Sequence, residues 1–375
     1  MFLAIKEMKK EKSRFVLIIC IVVLISYLVF FLTGLAYGLA KDNVTAVEMW
    51  NANKIVLKSG TNSNLSASMM DKKALDDLKN YDISPINLAR VVAYKNSNES
   101  KENTINIAMI GLNQDSKAYP EIIEGKKPEN KDQVLASISL KDEEKLEIGD
   151  KLLISMNDRE YEIVGFTKES KYNVSSVIYT ELNESSPNIL SFVKHDAESN
   201  DDKTDATSGA TKNIPERIAG IIVHGENDLK TNEKYDVISI DEFINEIPGY
   251  LAQVLTFGLM IGFLILISTI VLGVFMYIIT MQKKQTFGIM KVQGISNLYI
   301  SKSVIHQTFL VSVIGVLIGL GLNLVSEIFL PKTVPFKSNY TFYGLIALII
   351  VVISLVGAIF SVRGVTKVDP LEVLD

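Results

Sequence analysis

The sequence predicts an integral membrane, α-helical protein with four transmembrane helices and a large α+β extracellular domain inserted between helices 1 and 2. Three observations predict it. Apolar residues make up 48% of the 375 and are gathered into blocks, which marks a membrane chain rather than a soluble one of the same average. Four blocks reach the length of about 20 residues that a bilayer crossing takes. The long polar stretch between the first two blocks carries short Val/Ile-rich runs bounded by turn residues, the pattern of strands.

Each element follows in order. Residues 1–14 form a basic N-terminal segment. Phe15–Ala40 has no charged residue, is too long for a signal-peptide core and lacks a small-residue cleavage site, so it reads as a retained anchor. Residues 41–247 form the inserted domain, with helical character over Asp42–Asn51 as a stalk. Its expected strands are Lys54–Lys58, Arg90–Tyr94, Thr104–Ile110, Gln133–Ser137, Leu152–Ser155, Glu160–Phe166, Ser176–Thr180 and Gly220–His224. Helices are expected over Met70–Asn80 and Ile240–Ile247, the second announced by Ser239 with Glu242 three residues on. Residues 195–215 are dense in polar residues and read as disordered, either a surface insertion or a partner-binding arm. The remaining spans are Pro248–Gln282, Ser303–Ser326 and Tyr340–Val362, joined by loops 283–302 and 327–339 and followed by a tail, 363–375. At about 1.5 Å per residue the second span reaches roughly 50 Å against a hydrocarbon core of about 30 Å, so part of it projects as stalk.

Lys6, Lys9, Lys10, Lys12 and Arg14 precede the first span, Lys283, Lys284, Lys291 and Lys302 lie between the second and third, and Arg363 and Lys367 follow the fourth. The positive-inside rule puts both termini and loop 283–302 in the cytoplasm of a cell-membrane protein.

Several functions are excluded. A net charge of −5 gives no reason to expect nucleic acid. Cys20, the single cysteine, lies in the first span, so the inserted domain folds without a disulfide and no cysteine cluster holds a metal. His195, His224 and His306 are far apart and lack metal-ligand spacing. There is no phosphate-binding Gly-rich loop, no Gly-x-Ser-x-Gly and no His-Glu-x-x-His, so no catalytic residue is expected. The spans carry no charge in their interiors, which argues against a proton-coupled carrier; His306 and Glu327 lie at their edges.

Loop 283–302 is short, basic and helical in pattern, with Phe287, Met290 and Ile295 available as an apolar face. It suits an amphipathic helix on the inner lipid surface or a coupling helix docked on a soluble partner. Its Gly288-Ile-Met-Lys-Val-Gln-Gly294 resembles the Gly-Ile-Leu-Lys-Ala-Ile-Gly signature of the FtsX-like permease domain of MacB-type (type VII) ABC transporters, Gln293 being the departure. Val368-Asp-Pro-Leu-Glu-Val-Leu374 is similar to that family's C-terminus. Glu124-Gly-Lys-Lys-Pro-Glu129, Gln133-Val-Leu, Leu146-Glu-Ile-Gly-Asp150 and Tyr161-Glu-Ile-Val-Gly165 resemble its external core domain, in the expected order. More narrowly, Met1-Phe-Leu-Ala-Ile-Lys-Glu7, Gly34-Leu-Ala-Tyr-Gly-Leu39 and Leu330-Pro-Lys-Thr-Val-Pro-Phe336 resemble the haem-exporter permeases of Gram-positive bacteria.

The resemblance implies a permease that hydrolyses no ATP itself. It implies a homodimer of this chain, in contact with membrane lipids, with two copies of a separate ABC ATPase. Lys284, Phe287, Gly288, Ile289, Met290, Lys291 and Gly294 would then couple the ATPase to the long helices. Gly34, Gly38, Gly315, Gly319 and Gly321 would let helices pack closely, including at a dimer seam. No cofactor is resident; haem would be cargo, and its iron needs axial ligands. The candidates near the outer surface are Glu48, Tyr340 and Tyr343, then Tyr37, Met49 and Tyr250, although tyrosines there also form aromatic belts. The same family includes exporters of antimicrobial peptides and FtsX-like signal transmitters that activate a cell-wall hydrolase.

Overall fold

A computed structural model describes residues 2–96, 103–185, 217–282 and 284–366; segment 195–215 and the motif at 368–374 lie outside them. In chain order the helices are α1 Phe2–Lys10, α2 Lys12–Glu48, α3 Ala74–Asp77, α4 Ile138–Glu144, α5 Ile240–Glu246, α6 Tyr250–Gln282, α7 Lys284–Val292, α8 Asn297–Phe329 and α9 Tyr340–Thr366. The chain divides into two compact units, residues 1–38 with 254–375, and residues 39–253.

In the first unit α2, α6, α8 and α9 are long and apolar enough to cross a membrane. Each overlaps one expected span, α2 running on to Glu48 past the expected end at Ala40, and α8 starts at Asn297 rather than Ser303 because Ser296 caps it, its Oγ accepting from the Tyr299 amide. Most buried hydroxyls bond backward along their own helix: Thr33 to the Val29 carbonyl, Thr308 to that of Val304, and Ser312 to that of Thr308. That is how a hydroxyl is satisfied where water is absent. Asn323 is the exception, fully buried with neither amide atom bonded among the described residues.

The close approach of α2 and α8 rests on glycine. A Cβ on Gly315 would meet Val22 at 2.5 Å, and one on Gly319 would meet Ser26 Oγ at 2.1 Å. Ser26 Oγ donates to the Gly315 carbonyl at 3.3 Å across the same seam. These two glycines therefore serve packing within one chain. Gly321 has open space around it.

The second unit is the inserted α+β domain. Its strands are β1 Lys54–Lys58, β2 Met70–Asp71, β3 Ile83–Lys95, β4 Thr104–Leu112, β5 Ile122–Gly125, β6 Gln133–Ser137, β7 Lys151–Ile154, β8 Arg159–Thr167, β9 Lys171–Tyr172, β10 Ser175–Thr180, β11 Arg217–Ile218, β12 Gly220–Val223 and β13 Tyr235–Ser239. The main sheet runs β13-β1-β12-β3-β4-β10-β6-β8-β5. β7 pairs with both β3 and β8, so β3-β4-β10-β6-β8-β7 closes into a small barrel. Ala93, Ile107, Met109, Val134, Tyr161 and Phe166 contribute to the core associated with it. β13, β1 and β12 extend beyond β3, and that side is covered by α5 and the end of α2, with Val44, Val47, Trp50 and Phe243 in one core.

The motifs that resembled the external core domain are turn and packing hardware. Gly125 sits at φ +85°, and a Cβ there would lie 2.4 Å from the Val164 carbonyl; a Cβ on Gly165 would lie 2.8 Å from that of Glu124. Side chains at either position would push β5 off β8. Gly149 holds φ +96° in the turn before β7, and Leu146 is fully buried.

The helix expected over Met70–Asn80 is a correction. Met70–Asp71 is a strand paired with Arg217–Ile218, and only Ala74–Asp77 is helical. A partner some 150 residues away (roughly, by position) overrides the local helical pattern. The other helix is as expected, with Ser239 Oγ accepting from the Glu242 amide at 3.1 Å.

Candidate functional site

The signature loop is built as a capped hairpin. α7 ends with Gly294 at φ +87°. The Gly294 amide donates to the Lys291 carbonyl at 2.9 Å and the Ile295 amide to that of Met290 at 3.0 Å. This is the paired 5→2 and 6→1 closure of a Schellman motif, which requires a left-handed residue and so favours glycine. Its usual apolar contact is present, since Ile295 and Met290 pack on one cluster with Phe287, Ile300 and Val304. Ser296 then opens α8.

Phe287, Met290 and Ile295 therefore turn inward onto α8, and Gly288 is buried as well. The apolar face left open is a different one. Ile289 is 53% and Val292 58% exposed, three residues apart and so on one side of α7. Leu298 and Tyr299 add exposed apolar surface at the start of α8. Lys291 is half-buried, and the Lys284 side chain lies outside the described ones.

The proposed cargo residues divide between the units. In the first unit Tyr343 is buried edge-on against Phe30, with ring centroids 5.5 Å apart, and Tyr37 stands edge-on to Phe342 at 5.6 Å. Both rings are thus held in packed aromatic pairs. Tyr340 is 71% exposed. In the second unit Glu48 is ion-paired with Lys41, Tyr250 is half-buried, and Met49 is half-buried one residue beyond α2.

Two further constellations appear only in the structure, although the residues of the first include two sequence motifs. The first is a strap. The loop after α8 lies across the glycine face of α2: the Lys337 amide donates to the Gly34 carbonyl at 3.2 Å, and Phe336 stacks on Phe31 at 5.4 Å. Ser338 Oγ donates to Glu327 at 2.7 Å, closing the loop on the end of α8. The Gly34–Leu39 and Leu330–Phe336 motifs are thus two sides of one contact, apart from Leu39 itself.

The second is a buried ion triad in the inserted domain. Lys171 Nζ donates to Asp42, on α2, at 2.8 Å and to Glu143, on α4, at 2.7 Å. Lys171 is 7% and Asp42 2% exposed. Burial alone would lower the Lys171 pKa; the hydrogen bonds and charges of Asp42 and Glu143 outweigh it and raise the value. Beside it, Lys171 N donates to Thr45 Oγ1, and the Asn173 and Val174 amides donate to the Asn43 and Asp42 carbonyls. Asn173 and Val174 both have positive φ, +48° and +69°. A β-branched residue in that region is strained, and this one is held there by its bond to α2.

Among the described residues no cluster of His, Cys, Asp or Glu could hold a metal.

Comparison with known proteins gives a match over the C-terminal third and likenesses along the whole chain. Residues 258–370 match the family described as FtsX-like permease C-terminal. The whole chain aligns with two Staphylococcus epidermidis proteins that carry the name of the hemin transport system permease HrtB, at 28% and 29% identity over 99% of their length. A Staphylococcus haemolyticus protein of the same name is 27% identical, again over 99% of its length. Among solved structures, the extracellular domain of the ABC-type transporter YknZ from Gram-positive bacteria covers 50% of the chain at 15% identity and a TM-score of 0.31, with all of that domain matched. The periplasmic region of MacB from Actinobacillus actinomycetemcomitans covers 52% at 12% identity and a TM-score of 0.32, with 92% of it matched. Residues 258–370, which include the capped signature hairpin, thus match an FtsX-like permease C-terminal domain, and the chain, with four helices long and apolar enough to cross a membrane, is similar over its whole length to membrane permeases.

Proposed function

We propose that this permease works with a separate ATPase to export haem, with both termini and α7 in the cytoplasm and the α+β domain outside the cell. The observation that carries the reading is the likeness along the whole chain to proteins named for hemin transport. The active assembly is a homodimer with two ATPase copies. The ATPase docks on α7, and its closure is passed along α2, one uninterrupted helix from Lys12 to Glu48, into the inserted domain. Haem is taken from the outer leaflet rather than through an aqueous path, in keeping with spans whose buried hydroxyls are mostly spent on their own backbone.

The docking face is Ile289 with Val292. Ile289→Asp places a charge there without touching the Phe287 core. It should abolish co-purification of the ATPase while the permease still elutes as a folded species; undiminished co-purification would move the docking surface elsewhere.

For cargo, Tyr340 offers the most exposed phenol of the candidates and Glu48 a carboxylate on the stalk. Titration of the purified permease with haem should give a saturable Soret shift, weakened at least tenfold in Tyr340→Phe or Glu48→Ala, because an axial ligand dominates iron affinity. A wild-type protein with no shift, but whose ATPase is stimulated by an amphipathic peptide, would replace haem by peptide cargo.

A further inference from the structure

The seam between the N-terminal helices and α8 opens into a groove of about 390 Å³. Its floor and walls are apolar, with Phe15 and Ile19 on α2 and Leu310 and Ile314 on α8. Its only charged lining residues are Lys9 and Lys12, both at the end nearest the N-terminus. From Lys9 to Ile19 the helical rise is about 15 Å, enough for most of an acyl chain. The groove thus has a cationic mouth where α1 meets α2 and an apolar channel running along a membrane span.

The groove has a fixed frame. α1 is pinned to α8 by a hydrogen bond from Gln307, itself buried, to Glu7. The Phe15 and Arg14 amides both donate to the Glu11 carbonyl, which keeps α1 and α2 nearly continuous. Neither Lys9 nor Lys12 has an ion-pair partner among the described residues. A second hollow beside the mouth is lined by Lys9, Lys10, Glu11, Lys12, Ser13 and Arg14, and its one acid, Glu11, is ion-paired with Arg14, so the rim is basic on balance.

From this geometry we propose that the groove binds one anionic phospholipid, with its phosphate on Lys9 and Lys12 and one acyl chain lying along Phe15, Ile19, Leu310 and Ile314. The charge pattern selects the occupant. A free phosphate would leave the apolar channel empty, and a zwitterionic lipid would bring its own headgroup cation against the two lysines. Bound there, the lipid bridges α2 to α8, the two helices whose glycine seam begins one to two turns further along. The site is independent of the cargo and of the ATPase.

The test is native mass spectrometry of the full-length permease released from nanodiscs of equimolar phosphatidylglycerol and phosphatidylcholine. Wild type should retain phosphatidylglycerol over phosphatidylcholine by about tenfold, the scale two lysines near an anionic headgroup supply. Lys9→Gln with Lys12→Gln should bring the ratio close to one. Lys6→Gln with Lys10→Gln removes the same charge from α1 residues that do not line the groove itself and should leave the ratio as in wild type. Ile314→Trp, which fills the channel, should lose retention of both lipids. Equal loss in the two lysine pairs would reduce the effect to general surface attraction and overturn the site, as would retention that survives Ile314→Trp. Thermal unfolding of each variant shows that it remains folded when its lipid is counted.

Discussion

Lys171→Met is expected to destabilise the inserted domain by about 3–5 kcal/mol, the cost of removing one member of a buried ion group and leaving the others uncompensated. Asp42 and Glu143 both lie within 3 Å of the Lys171 ammonium, and Asp42 is almost completely buried. Without the ammonium, two carboxylates face one another where water cannot reach the first of them. Replacing all three, Asp42→Leu and Glu143→Leu with Lys171→Met, should recover most of the loss, because an apolar cluster of similar volume is about as stable as a buried ion group. Chemical unfolding monitored through Trp50, which is in the same domain's core, measures both. A single variant within about 0.5 kcal/mol of wild type would show that the triad is solvated.

The pH dependence follows from the sign of the shift. The folded-state pKa of Lys171 is raised, so its contribution is fully present below the unfolded lysine value of about 10.4 and is lost as pH rises through the folded value. Wild type and Lys171→Met should therefore differ by a constant amount through neutral pH as far as this group is concerned and converge only in strong alkali. In the export cycle proposed above, the triad would sit on the path from α2 into the inserted domain. Asp42 is the point at which α2 is tied by charge to β9 and α4, so a movement of α2 can reach the domain as a push rather than a slide. Loosening it should leave ATPase docking intact and weaken the link to cargo release.

How much of this was legible beforehand depended on how far each signal reaches along the chain. The membrane helices are written in local composition and were plain. Gly294 was legible as part of a signature, and the structure gives the reason in a left-handed cap. The strands that escaped notice were edge or short ones: β2, β9 and β11 are two residues each, below the length at which alternation can be seen. β3 was seen only over Arg90–Tyr94, although it begins at Ile83 and includes Pro85. Yet β4 pairs with β3 only from Ile86 onward, so Pro85 faces a single neighbour and its missing amide costs little. Phe287 and Met290 were correctly read as an apolar face, but a local pattern cannot say that α8 would cover it. The ion triad joins residues from three distant segments, and nothing in any one segment marks it.

Gly38→Ala should cost the membrane unit about 3 kcal/mol, at the upper end of what overpacking usually does. A Cβ at this position would lie 2.1 Å from the Pro335 carbonyl oxygen and 2.6 Å from its carbon. Both are backbone atoms, so no rotamer change can relieve the clash. Gly34 differs: the atoms that a Cβ would meet belong to the Phe336 and Tyr343 side chains, at 2.4 and 2.5 Å, and rings can tilt. Gly38→Ala should therefore be the more damaging, releasing the strap from α2 and exposing the loop to protease. Gly321→Ala supplies the control, since nothing lies within 4 Å of its Cβ position and alanine is the better helix former. Thermal unfolding with limited proteolysis in detergent should rank the stabilities Gly321→Ala, then Gly34→Ala, then Gly38→Ala. If Gly38→Ala melted with Gly321→Ala, the strap would not be seated as described. The expected order also separates two meanings of a sequence resemblance: Gly38 and Leu330–Phe336 lie where a loop runs flat on a helix, so a resemblance at these positions speaks for the scaffold, and the titration of Tyr340→Phe and Glu48→Ala is what tests haem as cargo.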